Sequence, residues 1–232
     1  MLSKFNNNKQ SLIPFVGVYL ILVIGFFFNL DPNGGAYLDY INQKRISQEF
    51  SENFINEFLN FDKTSTRHSP VLLIILSFFE KIELADVYIR LLNFHFCILL
   101  PIFFYKIISL KYNFLTKKIK ILISSLIFLS PTYISLSIWP DSRIYGLIFF
   151  CLAIINYLNF TDKKKYSYAI KCIAWYALAT YFSLNFALFS IFFMFKFFKF
   201  YKFDLNFFYL IIFNLILAFP ALLYTFTLDS IF

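Results

Sequence analysis

The chain has 232 residues, of which 60% are hydrophobic and only 15% are charged. Soluble domains carry about a quarter charged residues, so this composition excludes an ordinary water-soluble globular protein. The formal net charge is +8, but the basic residues fall in short clusters between apolar runs. That distribution is typical of membrane proteins and argues against a nucleic-acid partner.

Long apolar runs predict an all-α, polytopic bundle of transmembrane helices. Residues 11–30 and 121–140 contain no charged side chain, and about 20 apolar residues match the roughly 30 Å hydrocarbon core of a bilayer. The first run is followed directly by Asp31 and Pro32 and has no small-residue cleavage site, so we expect a retained anchor. We predict about seven spans in a single transmembrane module covering 1–232, at residues 11–30, 87–108, 119–138, 144–160, 168–182, 184–199 and 206–226.

The segment between the first two spans, residues 31–86, is predicted to be an external loop with juxtamembrane helices. Its apolar residues recur at helical spacing and predict one amphipathic helix on the membrane surface or on the bundle. They are Ile41, Ile46, Phe50, Phe54, Phe58 and Phe61. In the later segment 70–84, the apolar run covers only the nine residues 71–79, among which Ser77 is polar. It is too short to cross, so we expect it to be re-entrant or interfacial.

The charge distribution assigns an orientation to this arrangement. If 70–84 does not span, two thirds of the lysines and arginines lie on the side of the N-terminus, together with only Asp162 and Asp204 among the acids. The positive-inside rule then places the N-terminus in the cytoplasm. We expect an integral protein of a bacterial inner membrane.

The cysteines carry no predicted chemistry. Cys97, Cys151 and Cys172 lie far apart inside apolar runs and show no metal-ligand spacing. We expect them to be buried, inert thiols.

Unusual polar residues are predicted to gather at the external face. They are Asp31, Asp39, Arg67, His68, Arg90, Asp141 and Arg143. Charges at such a depth are costly and are commonly functional. A guanidinium group matches phosphate geometry and a carboxylate can act as a general base, so the pattern favours the handling of an anionic lipid.

Each residue also has a purely structural interpretation. Asp31 before Pro32 is a good turn former, Asp39 could cap the loop helix and Asp141 could cap the fourth span. Arg90 could reach the interface by snorkelling. A divalent cation would suit the carboxylates Asp39 and Asp141, but no fixed ligand cluster is visible, so we assign no metal ligand and leave the cofactor open.

The order of several short motifs resembles a known enzyme family. The motifs are Asp39-Tyr40, His68-Ser69-Pro70, Arg90, Ser130-Pro131 and Asp141. Over residues 11 to about 160, this layout is similar to GT-C fold glycosyltransferases that use polyprenyl-phosphate sugars (family 39, the protein O-mannosyltransferase and aminoarabinose transferase group). Such enzymes usually continue for more spans, so the resemblance is to their N-terminal module.

The resemblance implies a function and roles for the site residues. Asp39 would be the catalytic base, with Asp31 as a rival acid, and Asp141 would be a second acidic residue. Arg67 and His68 would lie near the donor phosphate. Independently of the resemblance, the guanidinium group of Arg67, Arg90 or Arg143 could hold this phosphate.

We therefore expect a membrane glycosyltransferase that moves a sugar from a polyprenyl-phosphate donor to an acceptor of unassigned chemistry on the external face. Its other partners would be membrane lipids. The alternative is a non-catalytic membrane protein: a truncated or inactive GT-C module, a lipid-handling subunit, a transporter or a scaffold. Charges kept at one face, and a short apolar segment without a second copy, argue against transport.

Overall fold

The computed structural model describes residues 2–64 and 70–227. Over this part the chain is all-helical, with 85% of residues in helices and no strand, which confirms the predicted all-α class. The helices are α1 (Leu2–Phe27), α2 (Ala36–Glu52), α3 (Phe54–Leu59), α4 (Pro70–Lys81), α5 (Asp86–Cys97), α6 (Leu99–Lys111), α7 (Lys117–Ser125), α8 (Pro131–Ile138), α9 (Ser142–Lys163), α10 (Tyr166–Phe182), α11 (Phe189–Tyr201) and α12 (Leu205–Thr227).

Fewer helices meet the length and apolarity of a membrane span than the seven predicted. Among the described residues these are Asp86–Lys111, which joins α5 and α6, Ser142–Lys163 and Leu184–Tyr201. A fourth span results if α7 and α8, which are bent by 68°, are counted together. Within α1 and α12, the apolar segments whose side chains the structure describes are Phe15–Phe27 and Leu205–Pro220. Three or four candidate spans support a membrane protein.

The bend inside the predicted third span has a clear cause. Ser130 precedes Pro131, and a residue before proline is pushed out of the helical region. Its backbone is extended, with φ −70° and ψ 122°, and its side chain accepts a hydrogen bond from the Tyr133 amide at 3.3 Å. Ser130 therefore ends one helical segment and caps the next, so 119–138 is a broken element and not one straight helix.

The prediction of one amphipathic helix in the external loop is wrong in its extent. The helix breaks at Asn53, whose side chain accepts a hydrogen bond from the Asn56 amide and so starts α3. Before the break, α2 buries Ile46 and Phe50 against the bundle, where it packs on α4. After it, α3 buries no side chain. The predicted apolar residues therefore do not form one buried face, because Ile41, Phe54 and Phe58 are about half exposed.

Two apolar clusters hold the described bundle together. The first surrounds Phe128, Ile138 and Ile148 and joins α1, α5, α8 and the start of α9. The second surrounds Ile173 and Phe197 and joins the end of α9 to α10, α11 and α12. The α8–α9 turn belongs to the first cluster, and it holds the polar site. The three cysteines are buried free thiols, as predicted.

Candidate functional site

One arginine links the two acidic residues of the predicted site. Nη2 of Arg143 donates to Oδ2 of Asp39 at 3.0 Å and to Oδ2 of Asp141 at 2.7 Å. The two carboxylates are thus neighbours across a single nitrogen, although they come from α2 and from the α8–α9 turn. The structure brings together three of the residues that the sequence singled out.

The Asp141 carboxylate is fixed by its position before α9. Its Oδ1 accepts from the Arg143 amide at 2.7 Å, which is the N-cap bond of the helix, and from Nε of Arg143 at 2.9 Å. With the bond from Nη2, the guanidinium holds both carboxylate oxygens as a fork. The Asp141 side chain is only 1% exposed. The structural interpretation of Asp141 as a helix cap is therefore correct, and the cap also orients Arg143.

Asp39 is held much more loosely. Its side chain is 43% exposed and that of Arg143 is 48% exposed, and one hydrogen bond joins them. The interpretation of Asp39 as a helix cap is wrong, since α2 begins three residues earlier, at Ala36. An exposed ion pair of this kind contributes about 0–1 kcal/mol.

Asp31, and not Asp39, accepts hydrogen bonds from the backbone amides at the start of α2. Its Oδ2 accepts from the amides of Gly35 at 2.9 Å and Tyr37 at 3.1 Å. Burial acts to raise the pKa of Asp31, but these backbone hydrogen bonds outweigh it and hold that pKa below its ordinary value. Gly34 and Gly35 both have positive φ in this turn, a conformation that glycine adopts without strain. Asp31 forms no contact with Arg143 among the described hydrogen bonds, and its turn-forming role is sufficient to explain it.

Arg90 packs inward instead of snorkelling to the interface. Its guanidinium carbon lies 3.8 Å from the centre of the Trp139 ring and 5.1 Å from that of Phe26. Its Nε donates to the carbonyl of Ile138 at 3.3 Å. Its Nη2 is buried without an acceptor among the described residues. Arg90 thus joins the site through Trp139, two residues before Asp141.

Sequence reasoning missed a polar network that anchors α2. Tyr40 donates its hydroxyl to Asp86 at 3.3 Å, and Lys44 donates to the same carboxylate oxygen at 2.6 Å. Lys44 also lies 3.9 Å from Glu80 of α4. Burial, and then the nearby Asp86 charge, raise the pKa of Tyr40 well above its usual value. These partners are more than 30 residues apart in sequence, so no local pattern pointed to them.

A large apolar cavity ends at Arg143. Its volume is about 620 Å³, within the range of roughly 300–1,000 Å³ that is common for ligand sites. Its walls come from α6, α8, α9 and the α10–α11 connection and include Leu100, Phe104, Tyr133, Leu147 and Phe186. Among the described residues that line it, Arg143 alone is charged.

Two of the predicted phosphate ligands, Arg67 and His68, lie outside the described residues. The described part also contains no group of three histidine, cysteine or acidic side chains that could hold a metal ion. Between Asp39 and Asp141 the positive charge is that of Arg143, so a divalent cation would have to displace this guanidinium.

Comparison with known proteins found no matching family model, no matching curated protein and no matching solved structure.

Proposed function

We propose that this chain is a membrane glycosyltransferase that takes a sugar from a polyprenyl-phosphate donor and transfers it to an acceptor at the Asp39–Asp141–Arg143 site. One observation carries the proposal. Arg143 lies between two carboxylates and also forms the charged end of a chain-sized apolar cavity. A lipid phosphate needs both an apolar groove and a cation, and the acceptor needs a base.

The unequal binding of the two acids assigns their roles. Asp141 is buried and holds Arg143 by three hydrogen bonds, so it is the positioning residue. Nη1 of Arg143 donates no hydrogen bond to the described residues, and it is available to a phosphate oxygen. Asp39 has one exposed bond worth about 0–1 kcal/mol. In the proposed complex the donor phosphate binds Nη1 and competes with the weakly held Asp39 for Nη2. Once Asp39 is released from Arg143, its carboxylate is free to accept a proton.

The transfer step follows from this exchange. The acceptor O–H or N–H bond breaks and its proton moves to Asp39, which acts as the general base. The acceptor atom forms a bond to the anomeric carbon of the sugar, from the side opposite the phosphate. The carbon–oxygen bond to the phosphate breaks, and its electron pair leaves with polyprenyl phosphate, so the configuration inverts. Arg143 stabilises the developing phosphate charge, and we assign Arg90 the same role, with Arg67 and His68 as further ligands.

The proposal includes a topology. The seven predicted spans cross a bacterial inner membrane, with the N-terminus in the cytoplasm and the Arg143 site on the external side. The support is the clustering of basic residues in alternate loops, as the positive-inside rule requires.

A transfer assay tests the function. Vesicles containing the protein receive polyprenyl-phosphate mannose labelled in the sugar, with a cell-envelope extract as acceptor source, and loss of label from the lipid phase is measured. We expect Asp39→Asn to lower the rate by 10²-fold or more. Asp162→Asn is the matched control, because Asp162 is an exposed acid distant in sequence, and it should transfer at the wild-type rate. A wild-type rate in Asp39→Asn contradicts the assignment.

The second candidate function is a non-catalytic lipid-handling protein. The observation that favours it is a second apolar cavity, which shares lining residues with the first and extends to Lys111. A protein that binds polyprenyl phosphate but leaves all label in the lipid phase would have this function and not the proposed one.

A further inference from the structure

A second apolar cavity lies next to the one that ends at Arg143. Its volume is about 530 Å³, and it is bounded by α6, α9 and α11. Phe104, Ile107, Phe150 and Ile154 line both cavities, so the two are adjacent along the same helices. The second cavity ends at Lys111 and Tyr112, which are the last residue of α6 and its C-cap.

Two lysines lie on helices that bound the second cavity. Lys111 lines it directly. Lys196 of α11 places its Nζ 5.4 Å from the ring centre of Phe192, and Phe192 is itself a lining residue. Among the described residues neither lysine forms an ion pair. One cation without an ion-pair partner thus lines an otherwise apolar space, and a second lies on a helix that bounds it.

Two of the residues that line the cavity are partly exposed. Tyr112 is 44% exposed and Phe192 is 45% exposed, although both line the cavity. A chain-like molecule can therefore enter from the side of the bundle.

We propose that this cavity binds one acyl chain of an anionic phospholipid, whose phosphate is held by Lys111 and Lys196. A lipid chain gains little by moving from a bilayer into an apolar groove, because lipid tails are as apolar as the groove. The headgroup charge therefore decides which lipid is retained. A lysine close to an anionic lipid surface favours binding of that lipid by about fivefold. Two lysines that act independently should therefore give a preference of about 25-fold.

The occupant is distinct from the proposed glycosyl donor. A polyprenyl phosphate held at Arg143 carries its anionic group at that end and presents only hydrocarbon to Lys111. An anion at the Lys111 end therefore belongs to a second lipid. This inference does not depend on the proposed function, since it concerns other residues and needs no transfer.

Native mass spectrometry of the purified protein tests the site. Phosphatidylglycerol and phosphatidylcholine with identical chains are supplied at equal concentration, and the retained lipid is identified. We expect the wild type to retain one phosphatidylglycerol with a preference of about 25-fold over phosphatidylcholine. The double variant Lys111→Gln/Lys196→Gln should lose this preference. Lys118→Gln/Lys202→Gln removes the same charge at exposed positions outside the cavity and should keep it.

Three outcomes overturn the proposal. One is an unchanged preference in Lys111→Gln/Lys196→Gln, provided that its thermal unfolding matches that of the wild type. Another is an equal loss in both double variants, which indicates a general effect of charge. The third is displacement of phosphatidylglycerol by added polyprenyl phosphate, which indicates that one lipid fills both cavities. Simultaneous retention of both lipids supports the proposal.

Discussion

Arg143 and Asp39 are joined by an ion pair of 3.0 Å, although 104 residues separate them in sequence. The same nitrogen of Arg143 binds Asp141, so one guanidinium joins α2 to the start of α9. Asp141 is held by a buried two-point contact, whereas Asp39 is held by one exposed hydrogen bond.

The two acids should differ in their effect on stability. Asp141→Ala removes the cap of α9 and leaves part of Arg143 without its buried partner, which should lower the free energy of unfolding by about 1–3 kcal/mol. Asp39→Ala should cost less than about 1 kcal/mol, since its pair is half exposed. Thermal unfolding in detergent measures both, and equal losses would contradict the unequal roles.

Asp39→Asn should have opposite effects on binding and on transfer. It removes the resting partner of Arg143, so polyprenyl phosphate should bind as tightly as to the wild type or up to about fivefold more tightly. Transfer should be lost, because an amide accepts no proton at neutral pH. Weaker binding in this variant would show that Asp39 contributes to holding the donor and does not compete with it.

Trp139 should report on the site. The chain has two tryptophans, and only Trp139 lies under the Arg90 guanidinium, at 3.8 Å. In a Trp175→Phe variant, added polyprenyl phosphate should change the emission of the remaining Trp139. In Trp139→Phe, which keeps Trp175 alone, the same addition should leave emission unchanged. A response of equal size in both variants would place the lipid elsewhere.

Asp31 should contribute stability that depends on pH. Its pKa in the folded protein lies below the ordinary value of 3.8, so its hydrogen bonds stabilise the fold above that value and are lost as the pH falls further. At pH 7, Asp31→Asn should therefore unfold at a lower temperature than the wild type. The difference in unfolding temperature between Asp31→Asn and the wild type should become smaller as the pH falls below about 4. If this difference in unfolding temperature does not depend on pH, the negative charge of Asp31 is not what stabilises the start of α2.

Opposite membrane sides should be distinguishable by chemical labelling. Asn113→Cys places a thiol in the α6–α7 connection and Glu52→Cys places one at the end of α2, and both native residues are exposed. The three native cysteines are buried. An impermeant maleimide should label Glu52→Cys only from the outside and Asn113→Cys only from the cytoplasmic side. Labelling of both from one side would contradict the predicted topology.

Several features could be predicted from the sequence because they depend on local patterns. Apolar runs indicated the helical membrane character. Asp141 before α9 was recognisable as a cap. In each case neighbouring residues decide the conformation, and no distant contact is required.

Other features depended on contacts that no local pattern records. Arg143 was expected to bind phosphate, but its link to Asp39 needs the docking of α2 on the bundle. The break at Asn53 arises from a side-chain cap inside a run that otherwise keeps helical periodicity. The stacking of Arg90 on Trp139 and the Lys44–Asp86 pair also join separate helices, so they required the tertiary structure.

The most direct measurement is the titration of the purified protein with polyprenyl phosphate, comparing the wild type with Arg143→Gln/Asp141→Asn. This pair keeps two amides that can bond to each other but removes the guanidinium. Lys118→Gln serves as the control for loss of one positive charge. We expect saturable binding to the wild type and to Lys118→Gln. The affinity of the double variant should be at least tenfold weaker, a loss of about 1.4 kcal/mol in binding free energy. Wild-type affinity in the folded pair variant would contradict the assignment of Arg143 as the phosphate ligand.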